Sequence, residues 1–406
     1  MGKAGMRALS LALACVVILG LAGCGTVQME NTEETTLAMT AETQTQPNPE
    51  ETTIVQETDP EILEGSLFLK TPSITFSVVG ESEDIYLGVI PRELVSWQSE
   101  APDVVAVENG ILIAVGVGTT TIRASYADRE VSCIAGCLAQ TQEELEKLDA
   151  EVLSTPKWLP PEIDLEQPCT YFDNAAIVGD SITYVLMQNE SISNALGDVT
   201  FLCRGGVSAM GFVLRSKNLY FGGREQFLED VVAKSQVERI YVLLGSNDVG
   251  AGYDMDTLIG NCRTILERIR EKSPEIEIVW ISSIPRFNRS GNYNTRTIEY
   301  NSCLRDFAKE NNCMYLDLHS YVQDHLGRLP NGYRFDDTHL DETGCNVWMK
   351  VMRYYAQYAV NVFFENAGLR AEAENNGVGN MAHAVRKLRA RYRRQPQRFA
   401  HGKGAY

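Results

Sequence analysis

Four polar side chains between residues 181 and 339 have the types and spacing needed for acyl transfer at an ester. Ser181 and Asn247 each follow a short apolar run that ends in glycine. His339 lies three residues after Asp336, so the carboxylate can accept a hydrogen bond from Nδ1 and orient the imidazole. A hydroxyl nucleophile, an oriented imidazole base and an amide donor for an oxyanion are the groups of a serine hydrolase.

Each of these signals also has a plainer interpretation. Asp and Ser are preferred N-cap residues, so Ser181 could serve only to begin a helix. The sequence Gly-Ser-Asn-Asp around Asn247 is common in turns, and the Asp336–His339 spacing can be incidental. A further turn, 204–209, has backbone N–H groups that could face the same point; the candidate donors there are Ala209, Gly205 and Gly206.

The elements that must position these groups alternate between strand and helix over residues 170–367. Apolar runs predict strands at 175–178, 199–203, 239–244, 276–283 and 314–317. Helical patterns cover 183–195, 224–235, 254–272, 294–311 and 343–364. Strands separated by helices predict a doubly wound parallel sheet, in which ligands bind at the carboxyl ends of the strands. Ser181 and Asn247 both follow such ends.

In combination the motifs resemble the SGNH, or GDSL, hydrolase family over about residues 172–365. Gly-Asp-Ser ending at Ser181, Gly-x-Asn-Asp around Asn247, and Asp336-x-x-His339 match three of its sequence blocks. The resemblance implies a flavodoxin-like five-stranded sheet and a Ser181–His339–Asp336 triad that needs no cofactor or metal. The oxyanion hole would be formed by Ser181, Asn247 and a backbone N–H of the second block.

That second block departs from the family, which usually has glycine where Ala209 aligns. A backbone N–H does not require glycine, so Ala209 remains a candidate donor beside Gly205 and Gly206. We interpret Asp248 as a residue that stabilises its loop and Asp337 as a solvated neighbour of the triad.

Residues 66–135 have a different character. Short β-rich runs are spaced by about ten residues, which predicts a small all-β sandwich; they lie at 73–79, 85–89, 95–98, 104–107, 111–115, 119–126 and 131–134. Trp97 and the turn Gly-Val-Gly-Thr at 116–119 resemble a bacterial Ig-like group 2 domain, which implies a spacer or an adhesive module. The proline-rich stretch 136–169 is predicted to be a linker.

The amino-terminal residues predict export. Residues 1–24 have a basic start, an apolar core and the ending Leu-Ala-Gly-Cys, which resembles a lipoprotein lipobox with Cys24 as the lipidated residue. An ordinary secretory signal is the alternative. Residues 25–64 are rich in Thr and Glu and predict a disordered tether, and the basic residues 368–406 predict a disordered tail. The expected location is outside the cytoplasm, on the membrane.

Composition excludes some partners and leaves others open. The formal charge of −18 over 406 residues argues against a nucleic-acid-binding body. Eight Lys or Arg and no acid occur within residues 382–406, so the tail could contact anionic lipid or wall polymer. Ten cysteines without metal-ligand spacing argue against a structural zinc site, while disulfides and free thiols both remain possible.

Substrate is predicted from the segment 286–294, which follows the fourth strand and is polar, aromatic and basic. The alternative is that this segment is only a mobile loop. This rim and the surface anchor predict removal of O-acetyl or other short acyl groups from an extracellular glycan. A lysophospholipid or small acyl ester is the alternative within the same chemistry. The alternative of another class is a surface adhesion or binding protein with an idle hydrolase fold.

Overall fold

The computed structural model describes residues 67–356, apart from 89 and 289–291. The predicted signal peptide with Cys24, the predicted tether and the predicted tail therefore lie outside the described residues. No helix among the described residues is long and apolar enough to cross a membrane. All eight cysteines of this part of the chain are free thiols.

Residues 73–139 form seven strands, β1 to β7: Ser73–Val78, Ser82–Asp84, Ser96–Ser99, Val105–Glu108, Ile111–Ala114, Gly118–Tyr126 and Arg129–Ala139. One sheet has the order β1-β7-β6-β3 and the other the order β2-β5-β4. The second strand lies before the predicted 85–89, because Tyr86 makes only an isolated bridge to Leu69. The likeness to a bacterial Ig-like domain stays a prediction.

The α/β region contains five parallel strands: β8 (Ala175–Gly179), β9 (Thr200–Cys203), β12 (Arg239–Leu243), β13 (Glu277–Ile281) and β14 (Met314–Leu316). Their order in the sheet is β14-β13-β12-β8-β9. Numbered along the chain this is 2-1-3-4-5, the flavodoxin-like order of doubly wound folds. The predicted fold class of this region is confirmed.

Alternate residues along these strands face two separate layers, as a sheet covered on both sides requires. Ala175 and Ile177 of β8 belong to one hydrophobic cluster, whereas Ala176 and Val178 belong to another. Every residue of β8 is buried. The apolar run that predicted this strand therefore reflects a central position in the sheet.

Within the described residues, ten helices accompany the strands: α1 (Gln142–Leu145), α2 (Ala150–Leu153), α3 (Ser181–Met187), α4 (Ile192–Leu196), α5 (Ala209–Val213), α6 (Leu228–Ser235), α7 (Ser246–Ala251), α8 (Met255–Lys272), α9 (Tyr293–Glu310) and α10, described over 342–356. Short 3₁₀ turns occupy Arg92–Leu94, His319–Tyr321 and Asn331–Tyr333. The predicted helix 183–195 is in fact two helices, α3 and α4. The predicted helix 224–235 starts only at residue 228, because Arg224–Gln226 (β11) pairs with Leu219–Phe221 (β10) as a hairpin.

The chain between the β-rich region and the α/β region makes backbone hydrogen bonds to both of them. The Thr75 N–H donates to the Lys157 carbonyl at 2.8 Å, and the Leu159 N–H donates to the Ser73 carbonyl at 3.1 Å. The Lys157 N–H donates in turn to the Gln323 carbonyl at 2.9 Å. This part of the predicted linker thus joins β1 to the α/β region through backbone hydrogen bonds.

Candidate active site

Ser181 is the first residue of α3 and lies two residues after the end of the buried strand β8. The N-cap of α3 is Asp180, whose Oδ1 accepts the Ile182 N–H at 2.9 Å. The interpretation of Ser181 as only an N-cap is therefore wrong, since the preceding aspartate does the capping. The Ser181 hydroxyl remains available for other contacts, and its N–H belongs to the first turn, where helix N–H groups have no partner within the helix.

His339 contacts both predicted partners. Its Nε2 lies 2.9 Å from the Ser181 Oγ, and its Nδ1 lies 2.8 Å from the Asp336 Oδ2. An ionised carboxylate can only accept hydrogen bonds, so in the neutral imidazole Nδ1 carries the proton and Nε2 is the acceptor. In that tautomer the Ser181 hydroxyl donates to His339, which is the arrangement that general-base removal of its proton requires.

Asp336 is held in place by the backbone of its own turn. Its Oδ1 accepts the N–H groups of Thr338 and His339, both at 2.7 Å. Partial burial raises the pKa of this carboxyl, but the hydrogen bonds from the His339 ring and from the two backbone N–H groups outweigh it and hold the pKa below its usual value. Asp336 is therefore ionised at neutral pH and can stabilise a protonated His339.

Asn247 lies at the carboxyl end of β12, in the first turn of α7. Its Nδ2 donates to the Val207 carbonyl at 2.8 Å and to Asp180 Oδ2 at 3.1 Å. The turn before it depends on Gly245, which has a φ of +115° and would clash with the Tyr300 ring if it carried a Cβ. The structure thus brings the amide of Asn247 next to the residue that precedes Ser181.

The backbone N–H of Ala209 is not free, which corrects one predicted oxyanion donor. It donates to Asp248 Oδ2 at 2.9 Å, and the Met210 N–H donates to Asp248 Oδ1 at 2.9 Å. A fully buried carboxylate that accepts both N–H groups at the start of α5 is bound firmly there. Ala209 is therefore excluded as a donor, and Asp248 stabilises this loop, as we interpreted it.

The remaining candidates, Gly205 and Gly206, form an exposed turn. The Val207 N–H donates to the Arg204 carbonyl at 3.3 Å, and Gly206 has a φ of +68°, which a side chain would strain. Lys217 Nζ binds the Gly206 carbonyl at 3.0 Å. An added Cβ on Gly205 meets nothing within 4 Å. The backbone of this turn is therefore accessible to a ligand, unlike that of Ala209.

Asp180 is a residue of the site that the sequence pattern did not single out beyond its capping preference. It is 1% exposed. Burial raises the pKa of its carboxyl to about 6, although the Ile182 N–H and nearby His339 oppose the rise and Asp248 adds to it. Because Asp180 also accepts from Asn247, it connects the helix that begins at Ser181 to the predicted oxyanion donor.

The other two described histidines make contacts elsewhere. His319 Nδ1 lies 3.0 Å from the Ser283 carbonyl, and burial lowers the pKa of its ring. His325 Nδ1 lies 3.3 Å from the Ser77 Oγ. No group of three or more His, Cys, Asp or Glu side chains within residues 67–356, excluding the four undescribed positions, could hold a metal ion.

In the described part of the predicted rim segment, the side chain of one asparagine binds the backbone at the start of the segment. Asn294 accepts the Arg286 N–H at 2.8 Å and donates to the Arg286 carbonyl at 2.9 Å. Phe287 follows, and its N–H donates to the Asp337 carbonyl at 3.0 Å. The start of the rim therefore contacts the turn that contains Asp336 and His339.

One more aromatic side chain lies beside the imidazole. The ring of Phe335 is nearly parallel to that of His339, at 9° and with 5.5 Å between centroids. Phe335 is nevertheless 61% exposed. Sequence reasoning missed this residue, because a single phenylalanine before an aspartate has no distinguishing pattern.

Comparison with known proteins gives a family match over this region. Residues 177–347 match the model of the GDSL-like lipase/acylhydrolase family. No curated protein sequence matches the chain.

Three solved structures illustrate the structural likeness. A GDSL-like lipase from Bacteroides thetaiotaomicron is 18% identical, with 48% of this chain and 92% of that chain covered and a TM-score of 0.39. A member of the lipolytic G-D-S-L family from Veillonella parvula is 18% identical, with 44% and 96% covered and a TM-score of 0.34. An acetylxylan esterase from Geobacillus stearothermophilus is 16% identical, with 45% and 93% covered and a TM-score of 0.34.

Proposed function

We propose that the protein is a serine esterase, because residues 177–347 match the model of the GDSL-like lipase/acylhydrolase family. Its substrate is an O-acetyl or other short acyl group on an extracellular glycan. Ser181 is the nucleophile, His339 the general base and acid, and Asp336 the residue that orients His339. The observation that carries the proposal is the position of the imidazole, 2.9 Å from the Ser181 hydroxyl and 2.8 Å from the Asp336 carboxylate.

The reaction proceeds in two halves. In the first, His339 Nε2 takes the Ser181 proton while Oγ attacks the ester carbonyl, and the resulting imidazolium protonates the departing alcohol as the acyl-enzyme forms. In the second, His339 takes a proton from water, the hydroxide attacks the acyl-enzyme, and the proton returns to Ser181 as the carboxylic acid leaves. Asp336 remains ionised throughout and stabilises the imidazolium.

Three donors serve the oxyanion in this proposal. The Ser181 N–H lies in the first turn of α3, and an N–H of the Gly205–Gly206 turn supplies a second donor. Asn247 supplies the third. Its Nδ2 makes the longer of its two hydrogen bonds to Asp180, and in this proposal that amide hydrogen turns from Asp180 to the substrate oxygen. Loss of one such donor costs on the order of 3 kcal/mol in the activation barrier.

The proposal of a glycan substrate rests on the surface around the triad. The rim near the imidazole contains cations and aromatic rings together: Arg334 lies 3.4 Å from the centroid of Phe287, and Arg286 lies 4.0 Å from that of Tyr293. A polar, aromatic surface suits a hydroxylated ring better than a long acyl chain. Lipidation of Cys24, outside the described residues, would hold the enzyme at the membrane and bring it to extracellular polymers.

Acyl-ester hydrolysis by the purified full-length chain tests the proposal. We expect release of acetate from acetylated polysaccharide and from p-nitrophenyl acetate, and Ser181→Ala should lower both rates by several orders of magnitude. Equal rates for the wild type and Ser181→Ala would instead favour a binding protein with an idle fold. Faster release of fatty acid from lysophospholipid than of acetate from glycan would favour the alternative substrate.

A further inference from the structure

Phe335 has a fixed backbone position beside the imidazole. Its N–H donates to the His339 carbonyl at 3.3 Å, and the residue before it, Arg334, forms an antiparallel bridge with Leu340. These contacts close the short loop that contains Asp336 and His339. The ring of Phe335 is therefore presented from a rigid turn, and one of its faces is turned toward the imidazole while most of the side chain remains in solvent.

The chemistry of acylation identifies which part of the substrate His339 must reach. His339 Nε2 must reach the oxygen of the departing alcohol in order to protonate it, so the alcohol lies on the imidazole side of Ser181. The amide of Asn247 instead lies beside Asp180 and Val207, and it serves the carbonyl oxygen. The ring of Phe335 therefore stacks on the side chain that must reach the alcohol.

We propose that Phe335 is a specificity-determining residue that receives the ring of the departing alcohol, so that the enzyme selects acyl esters of sugars over acyl esters of small open-chain alcohols. The proposal rests on the proposed esterase function and adds the part of the substrate that is recognised. The face of an aromatic ring carries negative charge density. The C–H groups on one face of a pyranose are weakly positive and cover such a ring, whereas an ethyl group covers little of it.

Two substrates with the same acyl group and different alcohols separate recognition of the alcohol from the chemistry of the acyl group. Ethyl acetate and a fully acetylated methyl glucoside form the same acetyl-enzyme, and kcat/KM includes only binding and acylation. We expect Phe335→Ala to lower kcat/KM for the sugar ester roughly three- to tenfold more than for ethyl acetate, the range typical of one aromatic contact. Phe335→Trp should keep the preference for the sugar ester, and Phe335→Leu should lose it despite its apolar volume.

A control variant on the surface shows whether an effect is specific to Phe335. Ile134→Ala removes a side chain that is 54% exposed on β7 and should leave both rates as they are in the wild type. An equal loss on both esters with Phe335→Ala would mean that the ring only positions His339, and no loss on either ester would also overturn the proposal. A wild-type protein that hydrolyses neither ester would overturn the esterase function itself.

Discussion

Replacing Asp336 by asparagine tests whether the carboxylate sets the tautomer of His339. Asp336 Oδ1 accepts two backbone N–H groups at 2.7 Å, whereas Oδ2 accepts only the Nδ1–H of the ring at 2.8 Å. The single oxygen of an asparagine should stay with the two backbone donors, because turning it away would give up two hydrogen bonds worth about 1 kcal/mol each. The amide NH₂ then faces Nδ1.

That arrangement changes the tautomer of the imidazole. An NH₂ group donates to Nδ1, so the ring proton moves to Nε2, which lies 2.9 Å from the Ser181 Oγ. Nε2 can no longer accept the hydroxyl proton. We expect kcat/KM for p-nitrophenyl acetate at neutral pH to fall by about 10³ to 10⁴, as loss of the correct tautomer does in related triads, which corresponds to roughly 4 to 5.5 kcal/mol.

The control is the neighbouring carboxylate. Asp337 is exposed, and its Oδ1 lies 3.8 Å from an Arg334 nitrogen, a contact of little energetic value. Asp337→Asn should therefore retain kcat/KM within about twofold. Ser181→Ala sets the floor of the assay, and circular dichroism checks that each variant is folded. If Asp336→Asn lost less than about tenfold, the assigned hydrogen-bond roles would be wrong.

Three further changes give results that the structure specifies. Asn247→Ala, and equally Asn247→Asp, should lower kcat by about 10² to 10³ in the same assay, because each removes an amide donor; an unchanged kcat would exclude it from the oxyanion site. Gly179→Ala places a Cβ 1.9 Å from Thr183 Oγ1, so it should destabilise the fold by about 1–3 kcal/mol in urea unfolding, with part recovered when Thr183→Ala is added. Burial, aided by a nearby lysine, lowers the pKa of His325 to about 4. Its neutral form therefore stabilises the fold above pH 6.5, and roughly 3 kcal/mol should be lost as the pH falls from 6.5 toward 4. His325→Gln should remove that part of the pH dependence of the unfolding free energy, and an undiminished dependence would contradict the assignment.

The buried carboxyl of Asp180 affects the free energy of unfolding in the opposite direction to His325, over a similar range of pH. Its pKa in the folded protein, about 6, is above the usual value for an aspartate. The folded state therefore binds the proton more tightly, and the stability gained from that proton is present below about pH 4 and lost as the pH rises through 6. The ionised form costs stability at neutral pH, and it is also the form that accepts hydrogen bonds from both Ile182 and Asn247.

Local pattern was sufficient for the parallel sheet and for the contact between Asp336 and His339. An apolar run with no alternation predicts a strand buried on both faces, and β8 is such a strand. The glycine and aspartate before Ser181 end that strand and cap the next helix, which places the serine at the sheet edge. The three-residue spacing of Asp336 and His339 predicts a contact within one turn, where the intervening backbone leaves little freedom, and the two side chains do contact there.

Elements without a strong period were not predicted. The helices α5 and α7 have five and six residues, too short for an apolar repeat to show. The predicted helix 224–235 was too long at its start because a helical pattern does not reveal that Arg224–Gln226 pairs with Leu219–Phe221. Pairing between strands depends on a partner, and a single stretch of sequence carries no record of it.

The sequence by itself determined which residues could do chemistry here and the sheet on which they lie, because strand, turn and helix preferences act over neighbouring positions. Only the tertiary structure decided which of those groups are available. The carboxylate of Asp248 reaches across 39 positions to the Ala209 N–H and removes it from the candidate donors, and Phe335 becomes notable only because its ring stacks on His339 in the folded chain. Hydrogen-bond partners and ring contacts are selected among all groups that folding brings together, so their choice is a property of the three-dimensional arrangement.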